Sequence, residues 1–386
     1  MTIKDNYYLM LDSLYIKNFR LFKELKIENL GRVNLILGRN NSGKSCLLEA
    51  LHLYAKNASP RTLYELIMER GEDWEILKEQ ENDEPTLQVE NPLRHLFSGY
   101  HFPDLNNGGD IEIGSVKETQ ERLKLHIHAY QTITTEEKQI FARVDDKQAE
   151  FFDSEDTELV IEIEIANKIK SRVRLNEIEK PRKYPIRRMF PYRLSSNAAK
   201  LNIQVVPTKH INDENVATLW DNINVQPFLR KIVFKGLQLI DENIQEVVLV
   251  GRGRNTMPIL IYKNGEKQIP LKSLGDGMTH LFHIILALVN AKDGFLLIDE
   301  FENGLHYTVQ PKVWELIFKL AKELNVQVFA TTHSKDCVEG FHAVWETQED
   351  AGTLHRLDNN LDDGVSVMPY TCELIAYALE SDGEIR

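Results

Sequence analysis

The sequence predicts an α/β protein: a parallel sheet flanked by helices, joined to an antiparallel β lobe and an inserted α/β segment. Three features of the 386 residues predict it. In the last third, apolar runs at Phe295–Ile298 and Val326–Ala330 alternate with helical spacings, as buried parallel strands covered by helices do. Between Ile111 and Leu175 the period changes to two, the mark of half-buried antiparallel strands. Near the start, the apolar run Val33–Leu37 enters a glycine-containing loop and then helical spacing.

In chain order, Leu14–Phe19 and Leu25–Ile27 read as paired strands, Val33–Leu37 as a buried strand and Ser45–Ala55 as a helix. Residues 56–110 are polar and irregular, with a helical patch at Thr62–Met68 and loop signals at Asn91-Pro92 and Asn106-Asn107-Gly108-Gly109. Strands follow in I-E-I, L-K-L-H-I-H-A-Y, L-V-I-E-I-E-I-A and V-R-L. Residues 176–210, rich in proline and basic side chains, read as loop. Val216–Ile240 reads as helix, then Val247–Val250 and Ile259–Tyr262 as strands with a turn at Asn264-Gly265. Thr279–Ala291 and Val309–Leu324 read as helices, the second with one apolar face at 309, 313, 316, 317, 320 and 324. Heptads never persist, which excludes a long coiled coil.

Composition narrows the class. Hydrophobic residues make up 42% and charged ones 27%, ordinary for a globular chain that can bury a core unaided. The net charge of −13 argues against a uniformly nucleic-acid-binding surface. Cys46, Cys337 and Cys372 lie far apart with no C-x-x-C, so neither a disulfide framework nor a structural zinc site is expected. The N-terminus has no signal-like apolar region, and the longest apolar run, around Leu281–Val289, is far short of the ~20 residues of a membrane span. A cytoplasmic protein without a membrane partner is expected.

Four motifs carry chemistry. Gly38-Arg39-Asn40-Asn41-Ser42-Gly43-Lys44-Ser45 is a complete G-x-x-x-x-G-K-[ST] between strand and helix. Its glycines let backbone N–H groups turn inward onto phosphates, Lys44 would reach the β- and γ-phosphates, and Ser45 would hold Mg²⁺. Gly38 through Ser45, with Cys46 next, are the candidate nucleotide-binding residues. Phe295–Ile298 runs into Asp299-Glu300, where Asp299 would bind Mg²⁺ and Glu300 would act as general base or orient the attacking water. Thr331-Thr332-His333-Ser334 follows the next strand, and His333 there can sense the γ-phosphate and steady the water. Finally Lys272–Met278 opens a helix, and Ser273, Gly275 and Gly277 make a second anion site; a simple N-cap by Asp276 is the plainer alternative.

Order and spacing of these motifs resemble the ABC-type ATPases, specifically the P-loop ATPases of the non-transporter branch that contains SMC, RecF and OLD-like proteins. Ser273–Met278 resembles the signature motif, Phe295–His306 the Walker B segment and D-loop, and Thr331–Ser334 the switch histidine. The opening L-Y-I-K-N-F-R-L-F is similar to the first strand of that branch. The resemblance implies ATP and Mg²⁺ as cofactors and a head-to-tail homodimer or higher homo-oligomer. ATP would be sandwiched between the phosphate loop of one chain and Ser273, Gly275 and Gly277 of the other. The signature S-L-G-D-G differs from the transporter form L-S-G-G-Q, and no glutamine stands out for the Q-loop, where Gln88, Gln120 and Gln131 all compete. The chain contains no D-x-D, so a stand-alone ATPase without the TOPRIM nuclease domain of OLD-like enzymes is expected. Residues 1–55 and 270–386 would form the nucleotide-binding core and 56–269 an inserted lobe.

One segment points outward. Residues 168–193 hold ten Lys and Arg against Glu177 and Glu179, with Tyr184, Phe190 and Tyr192 interleaved. Arg182, Lys183, Arg187 and Arg188 are candidates for contacting DNA or an acidic partner, with a solvated face as the bland alternative. The resemblance suggests the ATPase component of a prokaryotic anti-phage defence system working with a separately encoded effector. A RecF-like DNA-repair clamp and an effector-sequestering scaffold that binds no nucleic acid are its rivals.

Overall fold

The computed structural model describes residues 10–73, 91–103, 109–134, 139–144, 157–175, 201–251, 256–263, 265, 267–348, 351–360 and 364–380. The described chain starts with strands β1 (Leu14–Phe19), β2 (Phe22–Ile27) and β3 (Val33–Gly38), then helices α1 (Lys44–Ala55) and α2 (Pro60–Glu69). Strands β4 (Ile111–Gly114), β5 (Leu123–Thr134), β6 (Gln139–Arg143), β7 (Thr157–Ile165) and β8 (Lys168–Arg174) follow, then β9 (Asn202–Val206), α3 (Asp213–Asn224) and α4 (Pro227–Leu237). A small antiparallel sheet is formed by β10 (Ile244–Val250), β11 (Met257–Tyr262) and β12 (Gln268–Pro270). The last stretch alternates: α5 (Asp276–Asn290), β13 (Gly294–Ile298), α6 (Gln310–Glu323), β14 (Gln327–Thr332), α7 (Lys335–Trp345), β15 (Gly352–Asn360), β16 (Gly364–Tyr370) and α8 (Cys372–Glu380).

Among the described residues the central sheet has the order β16-β15-β3-β14-β13-β9, parallel throughout except for β16. Strands β3, β14 and β13 are buried on both faces, which is why they read as unbroken apolar runs. Alternate residues face opposite cores. Leu296, Ile298, Val328 and Ala330 pack with α3 to α7. Phe295, Leu297 and Phe329 pack with α1 and with the antiparallel sheet of β2-β1-β4-β5-β7-β8. Helix α5 lies inside the first core, buried from Met278 through Val289, and this explains its long apolar run. No helix among the described residues is long and apolar enough to cross a membrane.

Strand pairing crosses the boundary expected at 55 and 270 in both directions. Strands β1 and β2 pair into the antiparallel sheet, through β1 with β4, rather than into the central one. Strand β9, in a region expected to be loop, runs parallel to β13 from Asn202↔Gly294 to Val206↔Ile298. Its N-I-Q-V-V is short and at a sheet edge, so its signal is weak beside the preceding run of charge and proline. The helix expected over 216–240 is two helices. Pro227 opens α4, because a proline lacks the N–H that a continuing helix needs.

Burial also sets a pH response. His280, His355 and His52 are pushed down to about 4 and His283 to about 3 by desolvation. Each is thus held neutral in the folded chain, and its contribution is complete above the unfolded value near 6.5 and lost as pH falls toward 4. His126, raised by Asp110, acts in the opposite sense. Stability should therefore fall between pH 7 and pH 5, by about 1–2 kcal/mol for each neutral histidine. Thermal melts showing the same Tm at pH 7.0 and pH 5.0 would contradict this.

Candidate active site

The phosphate loop is built where β3 ends. A Cβ on Gly38 would collide with the Ser42 hydroxyl and the Leu357 carbonyl oxygen, and Gly43 turns the chain at φ 99° into α1. The first turn of α1 has neither a side-chain cap nor an acidic residue, so its N–H groups stay open to an anion. Lys44 is 8% exposed, and its ammonium donates to the carbonyl oxygens of Gly38 (2.7 Å) and Arg39 (2.9 Å). Burial lowers its pKa, while Asp299, Glu300 and Glu302 pull it back up.

The acids arrive on the loop that leaves β13. Asp299 accepts from Thr331 Oγ1 (2.7 Å), Thr208 Oγ1 (3.2 Å) and Ser45 Oγ (3.2 Å). Glu300 has φ 54°, and its N–H donates to Thr331 Oγ1 (2.9 Å). Phe301, fully buried, stacks on Trp314 of α6 at 3.9 Å and anchors the loop from below. Glu302 turns inward, 11% exposed. One of its oxygens accepts the His333 backbone N–H (2.9 Å) and faces His333 Nδ1 at 3.1 Å.

Ser45 and Asp299 offer a hydroxyl and a carboxylate, hard oxygens within 3.4 Å of each other on the open side of the loop. That donor set fits Mg²⁺, which takes one or two protein oxygens and completes its octahedron with water and phosphate.

A cleft of about 750 Å³ gathers Asn40, Asn41, Ser42, Gly43, Lys44, Ser45, Cys46, Asp299 and Glu300, large enough for a nucleotide. Gly38 closes its floor through Lys44, and Arg39 lines a neighbouring hollow of about 500 Å³ against β15 and β16. His333 lies at the rim rather than in the lining, with Nδ1 3.9 Å from Glu300 Oε1. Ser273, Gly275 and Gly277 are not brought to this cleft. They form a turn at the start of α5, with Ser273 and Gly275 exposed and Gly277 packed on the backbone of Gly304. Asp276 makes no side-chain cap there; its carboxylate instead lies 3.8 Å from His210 Nε2.

Arg182, Lys183, Arg187 and Arg188 lie outside the described residues, as does Gln88. Of the same basic run, Lys168 and Lys170 are exposed on β8, while Arg172 is bonded to Glu162 (2.7 Å). Gln120 sits in an exposed short turn and Gln131 on β5, and neither lines the cleft. The residue beside Asp299 at the end of β9 is Thr208, followed by Lys209 in the cleft wall. Thr208, Lys209, Thr331 and Glu302 have no role in the sequence reading. Only Thr331 and Glu302 fall inside recognisable motifs.

Residues 33–336 match the family profile described as AAA domain, putative AbiEii toxin, Type IV TA system. An ATP/GTP phosphatase of Helicobacter pylori (strain ATCC 700392 / 26695) is 27% identical over 347 residues, 86% of this chain and 87% of that protein. The DNA replication and repair protein RecF of Lactococcus lactis subsp. cremoris (strain MG1363) is 33% identical over 87 residues, 22% of this chain and 24% of that one. The SMC head domain from Thermotoga maritima aligns distantly, at TM-score 0.42 and 13% identity, over 94% of this chain and 99% of that chain. With the profile spanning most of its length, the chain belongs to this AAA-domain family, and it is a P-loop ATPase.

Proposed function

We propose that the chain hydrolyses ATP with Mg²⁺ as a head-to-tail dimer, each nucleotide held between the phosphate loop of one copy and the Ser273–Gly277 turn of the other. The observation that supports this is the separation of the two anion-binding turns. The α5 turn is exposed, glycine-rich and without a side-chain cap, yet it lies away from its own cleft. Lys44 would exchange its two carbonyl partners for phosphate oxygens, and Ser45 and Asp299 would hold the metal. Bound Mg²⁺ supplies charge neutralisation between the β- and γ-phosphates. Glu300, 34% exposed at the cleft, orients the attacking water and takes its proton. His333, held by Glu302, presents its other ring nitrogen beside that water.

The setting we infer is cytoplasmic anti-phage defence with a separately encoded effector, and the family description, which names a putative type IV toxin–antitoxin component, supports it. The local likeness to RecF favours a second reading, a clamp on DNA. Binding of duplex DNA that falls steeply with salt would favour the clamp, and no binding at low salt would leave an effector-directed scaffold.

The composite site has a direct test. Lys44→Ala and Gly275→Asp should each be inactive as pure proteins. Mixed together, they should recover part of the ATPase activity, because one mixed interface pairs an intact phosphate loop with an intact α5 turn. If the mixture stays as inactive as its components, the two turns do not serve one nucleotide.

A further inference from the structure

Thr331 ends in the heart of the site without a task. It is fully buried near the end of β14 and grips three consecutive residues of the acid loop. Its hydroxyl donates to Asp299 Oδ1 (2.7 Å) and accepts the Glu300 N–H (2.9 Å), and its carbonyl oxygen accepts the Phe301 N–H (3.0 Å). A hydroxyl has one hydrogen to give, so the direction of this relay is fixed: hydrogen to the carboxylate, lone pair to the amide. Between those bonds Glu300 adopts φ 54°, a left-handed conformation that a side chain with a Cβ keeps only where its surroundings hold it.

We propose that Thr331 is a positioning residue for ATP hydrolysis, its hydroxyl fixing the left-handed backbone of Glu300 and thereby the direction of the Glu300 carboxylate. The proposal rests on the reading of Glu300 as the residue that handles the attacking water. Asp299 is less dependent on the same hydroxyl, since Thr208 and Ser45 also bond to it. Loss of the Thr331 hydroxyl should therefore reach turnover before it reaches nucleotide binding. The methyl group of Thr331 has only a packing role, which separates the two halves of the side chain experimentally.

Thr331→Val keeps the shape and removes the relay, whereas Thr331→Ser keeps the relay and removes the methyl. We expect Thr331→Val to lower kcat by about 10- to 100-fold, as loss of an orienting partner does, with KM and ATP affinity within a few-fold of the wild type. It should also accumulate the ATP-bound dimer on a sizing column. Thr331→Ser should return kcat close to the wild-type value. Wild-type turnover in Thr331→Val overturns the proposal, as does a Thr331→Ser as slow as the valine variant, or an ATP affinity that falls as far as kcat. If the valine variant does not fold, as judged by its melting curve, Thr331→Ala is read by the same criteria. Glu300→Gln is measured alongside. Should it turn over like the wild type, the reading of Glu300 itself fails; should it be inactive while Thr331→Val is not, the positioning role alone fails.

Discussion

Lys44→Ala should lose measurable ATP binding by isothermal titration while remaining folded. The ammonium of Lys44 is nearly buried, and its two hydrogen bonds go to carbonyl oxygens of the loop it closes. Phosphate oxygens would replace those carbonyls with charged acceptors, and a charge-assisted hydrogen bond contributes about 1.5–3 kcal/mol. Two such bonds set a loss of roughly a hundredfold or more in affinity. The three acids whose field reaches Lys44 add to this, because without the lysine a phosphate would approach Asp299, Glu300 and Glu302 unscreened. Wild-type affinity in this variant would place the triphosphate elsewhere on the chain.

Glu300→Gln should do the reverse: bind ATP and fail to hydrolyse it. The amide matches the carboxylate in size, and the backbone bond to Thr331 does not involve the side chain, so the loop should hold its shape. A glutamine cannot accept the proton of the attacking water, and loss of a general base costs about 10²–10⁴ in rate. The bound nucleotide should then persist and hold two chains together, seen as an ATP-dependent dimer on sizing chromatography. Turnover at the wild-type rate would move the base to another group, with His333, 3.9 Å from Glu300, the first to examine.

The parts of the site legible in the sequence are those fixed by local rules. A glycine-flanked lysine after an apolar strand allows few backbones, and a buried strand ending in Asp299-Glu300 needs no distant partner to be recognised. Thr208 was hidden because its significance depends on β9 lying beside β13, a pairing between residues about ninety positions apart. Glu302 was hidden for a different reason. Its motif was visible, but that its carboxylate turns inward to His333 is a property of the folded loop. The segment after Ser334 carries no motif, although β15 there pairs with β3 from Gly352↔Val33 to Leu357↔Gly38 and so borders the phosphate loop. The three short apolar runs Val33–Leu37, Phe295–Ile298 and Val326–Ala330 can be assigned to a sheet from sequence; their order in it is decided by packing on both faces.

The contact between Gly277 and Gly304 has a mechanical meaning. A Cβ on Gly277 would overlap the Gly304 carbonyl oxygen, so the start of α5 and the turn after Phe301 touch backbone to backbone with nothing compliant between them. Interfaces of that kind transmit displacement rather than absorb it. In the proposed dimer, the turn that a copy lends to its neighbour is thus riveted to its own acid loop. Any displacement of that acid loop would then be carried to the turn that meets the nucleotide in the other cleft. In such a dimer this contact would couple the two clefts.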